Sequence, residues 1–164
     1  ELNFFISKLD KVLNKKLLFN LKKNKLNSQK IVFTNGCFDI LHPGHLDLFK
    51  TAKKFGDILI VGVNSDISIK KIKGSSRPIN DIDFRLQMLK SIKEIDFLIV
   101  FDELTPINII KILKPDIIFK GGDYKKKEIV GYKEVKKYGG KILTSKFLNN
   151  YSTTNIINKI KNIK

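Results

Sequence analysis

The chain has 164 residues, of which 42% are hydrophobic, 29% charged and 10% aromatic. This length and composition predict one soluble globular domain with a sizeable core, and they exclude a disordered or fibrous protein. The apolar runs, such as Ile58–Val63 and Phe97–Phe101, are far shorter than the roughly 18 residues that a membrane span requires. A single cysteine excludes an internal disulfide and a cysteine-rich zinc site.

The chain is strongly basic, with 32 lysines and arginines against 16 acidic residues and a formal net charge of +16 at pH 7. Such a charge suits a nucleic-acid-binding protein. However, Arg77 and Arg85 are the only arginines, whereas recognition of phosphates and bases draws heavily on arginine. A general compositional bias toward lysine is therefore the favoured explanation, and a nucleic-acid-binding domain stays open as a distant alternative.

Strand-like and helix-like segments alternate from residue 30 to the end of the chain. The predicted strands are Lys30–Thr34, Ile58–Asn64, Phe97–Phe101, Asp116–Lys120 and Lys141–Thr144. The predicted helices are His45–Phe55, Asp81–Ile92, Pro106–Leu113, Lys126–Tyr138 and Ser152–Ile163. Nearly continuous apolar strands that alternate with helices indicate a parallel sheet covered on both faces. The expected fold is therefore α/β, a single Rossmann-like, doubly wound, five-stranded parallel sheet.

Residues 1–28 are expected to form an N-terminal helical extension of a domain that spans residues 29–164. The lysine-rich, amphipathic pattern of Phe4–Leu26 predicts a helix that packs on this domain or on a partner subunit. The segment has neither a long apolar stretch nor a small-residue cleavage site, so no secretory signal is predicted and a cytoplasmic location is expected. The chain starts with Glu1 rather than Met, which suggests part of a longer protein.

The segment most informative about chemistry is Thr34–His45, which follows the first predicted strand. Both histidines of the chain, His42 and His45, lie there with Gly44 between them. The start of a helix offers free backbone N–H groups to a phosphate, and a glycine lets the backbone approach a ligand closely. Two imidazoles beside such a site can stabilise the charge that develops on phosphoryl oxygens.

The segment therefore predicts a phosphate-binding site, with a structural role of the two histidines as the alternative. A zinc site is disfavoured because no third histidine or cysteine has a suitable spacing.

The segment Gly36–His45, which reads GCFDILHPGH, resembles the signature of the cytidylyltransferase-like nucleotidyltransferases, the HxGH superfamily. The second part of that signature resembles Tyr151–Ile156, which reads YSTTNI and opens the last predicted helix. The resemblance implies that hydroxyl and N–H groups at this helix start hold the β- and γ-phosphates of a nucleotide. Helix capping alone is the alternative, because serine and threonine are common caps.

Further segments resemble, in the same order, the adenylyltransferase domain of the bacterial ADP-heptose synthase family. They are Phe33–Asp39, Val63–Asp66, Lys73–Gly74, Arg77–Asn80 and Lys120–Tyr124. The resemblance covers nearly the whole chain and implies transfer of AMP from ATP to a sugar 1-phosphate, D-glycero-D-manno-heptose 1-phosphate, for lipopolysaccharide or surface-glycan synthesis. It also implies Mg²⁺ with ATP, a homodimer, and a sugar-kinase domain in a fused or separate chain, with no nucleic-acid or membrane partner.

The same resemblance implies individual roles. His42, His45 and Lys73 are the implied catalytic residues. The implied nucleotide-binding residues are Thr34, Asn35, Gly36, Cys37, Phe38, His42, Gly44, His45, Gly121, Gly122, Asp123, Ser152, Thr153 and Thr154. Lys70, Arg77 and Arg85 are the implied substrate-binding residues. A salt bridge within the fold is the alternative for Arg85, and a tight turn is the alternative for the two glycines.

The metal ligands stay open. Asp123 is a candidate for a ribose hydroxyl, a sugar hydroxyl or Mg²⁺, and Asp39 is a candidate for the metal or for a structural role in its loop. Phe147 stands where some cytidylyltransferases carry an arginine. This departure weakens, without removing, the alternative of a cytidylyltransferase that acts on glycerol 3-phosphate or another phosphate acceptor.

Overall fold

A parallel sheet forms the centre of the computed structural model, which describes residues 11–14, 16–19, 29–122, 124–145 and 151–163. Its strands are β1 (Val12–Leu13), β2 (Ile31–Gly36), β3 (Ile58–Asn64), β4 (Phe97–Phe101), β5 (Ile117–Gly121) and β6 (Lys141–Ser145). They lie in the order β1-β4-β3-β2-β5-β6, and all neighbouring strands are parallel. The predicted α/β doubly wound class is confirmed, with six strands in the described ranges rather than five.

Helices connect these strands and cover both faces of the sheet. They are α1 (Pro43–Lys53), α2 (Asp66–Lys73), α3 (Ile82–Lys90), α4 (Ile107–Leu113), α5 (Tyr132–Lys137) and α6 (Thr153–Lys161), with a 3₁₀ turn at Lys126–Glu128. Ser65, Asp81 and Ser152 cap α2, α3 and α6, and each side chain accepts a hydrogen bond from a backbone N–H three residues further on. Within the described ranges, no helix combines the length and the apolar character needed to cross a lipid bilayer.

The core has two halves because side chains alternate between the faces of each strand. In β3, Ile58 and Ile60 belong to the cluster that includes residues of α4 and α5. Leu59 and Val61 belong to the opposite cluster, which includes Phe49 of α1 and residues of α3. All seven residues of β3 are buried, as expected for a central strand of a doubly wound sheet.

Three elements differ from the prediction. Strand β1 lies inside the segment predicted as a helix and pairs with β4, while most of that segment lies outside the described residues. Helix α2 was not predicted, because only Ser68 and Ile69 of this short lysine-rich segment are buried. The predicted helix Lys126–Tyr138 is divided at Gly131, where φ is +89° and an added Cβ would lie 2.7 Å from Ile110 Cδ1 of α4.

The carboxyl ends of β2 and β5 leave a crevice between them. Pairing of β2 with β3 continues to Gly36, whereas its pairing with β5 ends at Phe33 and Ile118. The chain runs outward from β2 to β3 and β4, and then returns to place β5 on the other side of β2. Ligands of doubly wound sheets bind at this change of direction, so the topology places a binding site beyond β2 and β5.

Candidate active site

A cavity of about 440 Å³ lies beyond the carboxyl ends of β2, β5 and β6. It brings together most of the residues singled out from the sequence. Those that line it are Thr34, Asn35, Gly36, Cys37, Phe38, His42, Gly44, His45, Lys73, Gly121, Ser152, Thr153 and Thr154. Six further lining residues were not singled out as site residues: Asp47, Leu48, Lys120, Tyr124, Ser145 and Tyr151.

His42 and His45 stack against each other at the start of α1. Their ring centroids are 3.7 Å apart with 23° between the ring planes. The edge of the Phe38 ring packs on His45, at a centroid distance of 5.2 Å and an angle of 73°. Gly44 permits this arrangement, because a Cβ there would lie 3.1 Å from the imidazole of His42. The stack fixes both imidazoles at the wall of the cavity.

Both histidines are held in the neutral form. Burial lowers the pKa of His42. Burial, followed by the proximity of His42 and Lys73, lowers the pKa of His45 from its ordinary 6.5 to about 3. The Nδ1 atoms of both rings and the Oγ1 atom of Thr34 are buried without a hydrogen-bond partner among the described residues. Buried polar atoms are normally paired, so these groups indicate a polar ligand.

The low pKa of His45 predicts a pH-dependent stability of the ligand-free protein. Between about pH 3 and pH 6.5 the unfolded chain binds a proton at this residue that the folded chain does not, so the free energy of unfolding falls as the pH falls. We expect a loss of about 2 kcal/mol between pH 6.5 and pH 5, measured by urea unfolding. His45→Asn should reduce this loss, and an equal loss in the variant would contradict the assignment.

The start of α6 lies at the same cavity as the histidines. The Ser152 side chain accepts a hydrogen bond from the Asn155 N–H at 3.1 Å, and the Thr153 hydroxyl donates to the Ile40 carbonyl at 3.5 Å. Neither α1 nor α6 carries an acidic residue in its first turn. Two helix N-termini, each with a partial positive charge, therefore meet at one cavity. Because Pro43 has no N–H and His45 donates to the His42 carbonyl at 2.9 Å, α1 offers the N–H of Gly44, and α6 offers those of its first turn. This arrangement suits several phosphate groups.

The end of β2 and the two residues that follow it, Cys37 and Phe38, form one wall of the cavity. Phe38 has a φ of +49°, an uncommon value for a bulky residue, and its ring packs on Gly36, where an added Cβ would lie 3.0 Å from the ring. Burial raises the pKa of Cys37, even though Lys73, Arg85 and Arg77 act in the opposite direction. Cys37 is therefore a thiol at neutral pH and is not an activated nucleophile.

Asp39 has a structural role in its loop. It is 3% exposed and accepts hydrogen bonds from the backbone N–H groups of Ile79 and Asn80. Arg77 donates to Asp39 through Nε at 2.7 Å and pairs with it through Nη2 at 2.6 Å. Burial alone would raise the pKa of the Asp39 carboxyl, but these hydrogen bonds outweigh it and lower the pKa. Neither Asp39 nor Arg77 lines the cavity.

Arg85 lies inside the fold rather than at the cavity. It is 1% exposed, and its guanidinium donates to the carbonyls of Cys37 at 2.6 Å, Asn64 at 2.8 Å and Asn80 at 3.1 Å. It also pairs with Asp66 at 2.7 Å. These are the contacts expected from the alternative of a salt bridge within the fold. Arg85 thereby connects the loops that follow β2 and β3 to the start of α3.

Replacement of Arg85 should destabilise the protein. Arg85→Met removes the donor that serves three backbone carbonyls, one of them in a buried contact, and the ion-pair partner of Asp66, so we expect the free energy of unfolding to fall by about 2 kcal/mol. Gln87→Met, an exposed position on the same helix, is the matched control and should be near neutral. Chemical denaturation of both variants measures the difference, and equal stabilities would contradict this role of Arg85.

Two other residues from the sequence analysis, Lys70 and Gly122, do not line this cavity. Lys70 is exposed on α2, one turn before Lys73, and does not line the cavity. Gly122 is buried with a φ of +115°, and its N–H donates to the Ser145 carbonyl at 2.8 Å, which extends the pairing of β5 with β6 by one residue. Asp123 lies outside the described residues, as does Phe147.

Lys120 is the most informative residue that the sequence analysis did not single out. Its ammonium group lies in the crevice between β2 and β5, where it donates to the backbone carbonyl of Asn35 at 2.9 Å and to Asn35 Oδ1 at 2.6 Å. Burial lowers the pKa of Lys120 to about 8. The sequence signal for Lys120 is its position near the carboxyl end of β5, because ligands of doubly wound sheets bind beyond the carboxyl ends of the strands.

Comparison with known proteins decides the family. Residues 33–159 match the family described as cytidylyltransferase-like. The chain belongs to this family. It is 51% identical over 140 residues to the bifunctional protein HldE of Histophilus somni (strain 129Pt), and 50% identical over 145 residues to that of Marinomonas sp. (strain MWYL1). These matches cover 85% and 88% of this chain but 30% of each relative.

Two solved structures are similar to this cytidylyltransferase-like chain. The lipopolysaccharide core biosynthesis protein from Thermoplasma volcanium GSS1 is 31% identical with a TM-score of 0.60, and the match covers 76% of this chain and 100% of that one. The pantoate-beta-alanine ligase from Francisella tularensis is 20% identical with a TM-score of 0.61, over 92% of this chain and 76% of that one. The second likeness concerns the fold alone. Family and relatives together indicate a nucleotidyltransferase.

Nucleotidyl transfer from ATP generally needs a divalent metal, which neutralises charge on the phosphates. In the described part of this cytidylyltransferase-like chain, no group of three or more histidine, cysteine, aspartate or glutamate residues could hold a metal ion. Asp47 is the single carboxylate among the described lining residues. A single carboxylate is too few to form a metal site from protein ligands alone. It is sufficient for an ion that takes its other ligands from the phosphates of the nucleotide.

Proposed function

We propose that this chain is an adenylyltransferase that transfers AMP from ATP to a sugar 1-phosphate, with D-glycero-D-manno-heptose 1-phosphate as the acceptor. The observation that carries the proposal is the meeting of the stacked histidines, Lys73 and the start of α6 at one cavity. The identity of about half the residues to the HldE proteins, over most of this chain, supports the heptose acceptor. The products are ADP-heptose and pyrophosphate.

The reaction is an in-line displacement at the α-phosphorus of ATP. An oxygen of the sugar phosphate forms the new P–O bond, and the bond from the α-phosphorus to the bridging oxygen of pyrophosphate breaks. The attacking phosphate is already anionic at neutral pH, so no protein group has to remove a proton from it. Catalysis then rests on alignment of the two substrates and on stabilisation of the charge that builds on the leaving pyrophosphate.

Different residues of the cavity align the substrates and stabilise the developing charge. His42 and His45 are neutral and can each donate one N–H to a phosphate oxygen. Lys73 supplies a positive charge from the end of α2, and the N–H groups at the starts of α1 and α6 bind the β- and γ-phosphates. Asp47, the carboxylate that lines the cavity, would help to hold Mg²⁺ together with ATP, and the ion would supply further neutralisation of phosphate charge.

A screen of nucleotides against acceptors tests the proposal. ATP or CTP is combined with heptose 1-phosphate, mannose 1-phosphate or glycerol 3-phosphate, and pyrophosphate release is measured. We expect the highest kcat/KM for ATP with heptose 1-phosphate. CTP with glycerol 3-phosphate as the best pair would replace the proposal with its cytidylyltransferase alternative. Absence of pyrophosphate release, together with salt-dependent binding of DNA or RNA, would favour the nucleic-acid alternative.

Several wider features rest on the resemblance and are part of the proposal. The word bifunctional in the name of the relatives, which are more than three times as long as the matched region, supports a second activity such as a sugar kinase in the longer protein. We also propose a homodimer, a cytoplasmic location where ATP is available, and a role of the product in lipopolysaccharide or surface-glycan synthesis. The nucleotidyltransferase domain spans residues 29–164, and β1 extends its sheet with residues of the preceding segment.

A further inference from the structure

A second, smaller cavity adjoins the principal one. Its volume is about 190 Å³, and Asn35, Lys120 and Tyr124 line both cavities. Its other walls come from the loop before α4, with Leu104, Thr105 and Pro106, and from the segment before α5, with Glu128, Ile129 and Val130. No residue of α1 or α6 lines it. The cavity therefore adjoins the principal cavity on the side away from the histidines.

The alternation of side chains in the strands places the two shared polar residues on the α4 side of the sheet. Phe33 and Ile118 pack in the core cluster that includes α4 and α5, and Asn35 and Lys120 each follow by two residues on the same strand, hence on the same face. Because β2 and β5 stop pairing at Phe33 and Ile118, the Lys120 ammonium reaches across the opening to Asn35. It stands where the two cavities adjoin and lines both of them.

Lys120 is a buried cation that lacks an anion. In the described ranges, both of its hydrogen bonds go to Asn35, and no carboxylate forms an ion pair with it. Burial of a charge without a counter-ion is unfavourable, and the pKa of Lys120 is lowered to about 8 as a result. A bound phosphate group would supply the missing negative charge.

The walls of the second cavity suit a sugar. Thr105, Tyr124 and Glu128 offer hydroxyl and carboxylate groups for sugar hydroxyls, whereas Leu104, Pro106 and Ile129 offer apolar surface for the C–H groups of a ring. Its volume is below the range of about 300–1,000 Å³ that is typical of sites for drug-sized ligands. The cavity thus matches a monosaccharide rather than a second nucleotide.

We propose that the second cavity binds the sugar part of the acceptor and that Lys120, held by Asn35, binds the acceptor phosphate where the two cavities adjoin. This inference rests on the proposed function and assigns the acceptor side of it. An in-line displacement requires the acceptor to approach opposite the leaving pyrophosphate. In this arrangement the pyrophosphate lies at the histidines and at the start of α6. An acceptor that enters past Lys120 then approaches from the side that neither α1 nor α6 occupies.

Calorimetric titration tests the assignment on protein saturated with a non-hydrolysable ATP analogue. Thr105→Trp and Val130→Trp fill the second cavity from opposite walls. We expect each to weaken binding of heptose 1-phosphate at least tenfold while the affinities for inorganic phosphate and for the ATP analogue change less than twofold. Lys120→Met should weaken binding of both heptose 1-phosphate and inorganic phosphate. Asn108→Trp, exposed on α4 outside the cavity, is the matched control and should change none of them.

The outcomes separate this inference from the proposed function. Heptose 1-phosphate affinities within twofold of wild type in both tryptophan variants, or no binding of heptose 1-phosphate to the wild type, would overturn the inference. Equal losses for the ATP analogue would also overturn it, because they would show a general disturbance of the site. Binding that responds to the variants as expected, without pyrophosphate release from ATP, would uphold the sugar site and contradict the adenylyltransferase.

Discussion

His45→Asn is expected to lower kcat for pyrophosphate release about 10²–10³-fold, the usual cost of removing one donor that stabilises transition-state charge. The imidazole of His45 lies between the rings of His42 and Phe38, so its N–H is held in a fixed direction before substrate arrives. Asparagine keeps an amide N–H but is shorter and lacks the stack. Steady-state kinetics with ATP and heptose 1-phosphate measure the effect.

The His45→Asn substitution should lower kcat without changing the stability of the fold. Thermal unfolding of His45→Asn at pH 7.5, where the histidine is neutral in both folded and unfolded chains, should stay close to that of the wild type. A variant that retains more than about a third of wild-type kcat would remove His45 from the mechanism. A comparable loss in His42→Asn is expected, because the two rings form one stacked unit.

Lys73→Ala is expected to reduce kcat/KM about 10²–10³-fold, by removing the exposed cation that α2 presents to the cavity. Its neighbour Lys71 is equally exposed on the same helix but does not line the cavity. Lys71→Ala is therefore the matched control and should be nearly as active as the wild type. The two variants have the same net charge, so the comparison separates a local contact from the general positive field of the protein.

Similar activities of Lys73→Ala and Lys71→Ala would contradict the placement of Lys73 at the phosphates. Raising the ionic strength provides a second readout. A general electrostatic effect should weaken with salt in both variants, whereas the deficit of Lys73→Ala should persist, because a contact at the cavity is less screened than a distant surface charge.

The sequence was most predictive where one local signal determines the structure. Strands Ile58–Asn64 and Phe97–Phe101 have the predicted bounds because apolar runs of this length, ended by polar residues, have few other stable arrangements. The start of α6 at Ser152 followed from capping chemistry. The meeting of His42 and His45 with this helix start at one cavity was implied by the resemblance to a two-part family signature, and it agrees with the rule that parallel strands gather their carboxyl ends at one edge.

Features that depend on distant parts of the chain were not predicted. Strand β1 exists because Val12 and Leu13 pair with β4, and nothing local distinguishes two apolar residues in a helix-like segment. Lys120 is one lysine among many until the divergence of β2 and β5 buries its ammonium group beside Asn35. For Arg85 the sequence left two roles open, substrate binding and a salt bridge within the fold, and its contacts with Asp66 and the distant Cys37 carbonyl match the second.

A crystal structure of the protein with a non-hydrolysable ATP analogue and heptose 1-phosphate would examine the site as a whole. We expect the β- and γ-phosphates within hydrogen-bond distance of His42, His45 and the backbone N–H groups at the start of α6. The α-phosphate should then face Lys120. A triphosphate bound elsewhere, with the histidines and the start of α6 on different ligands or on none, would contradict the nucleotide site and the reaction derived from it.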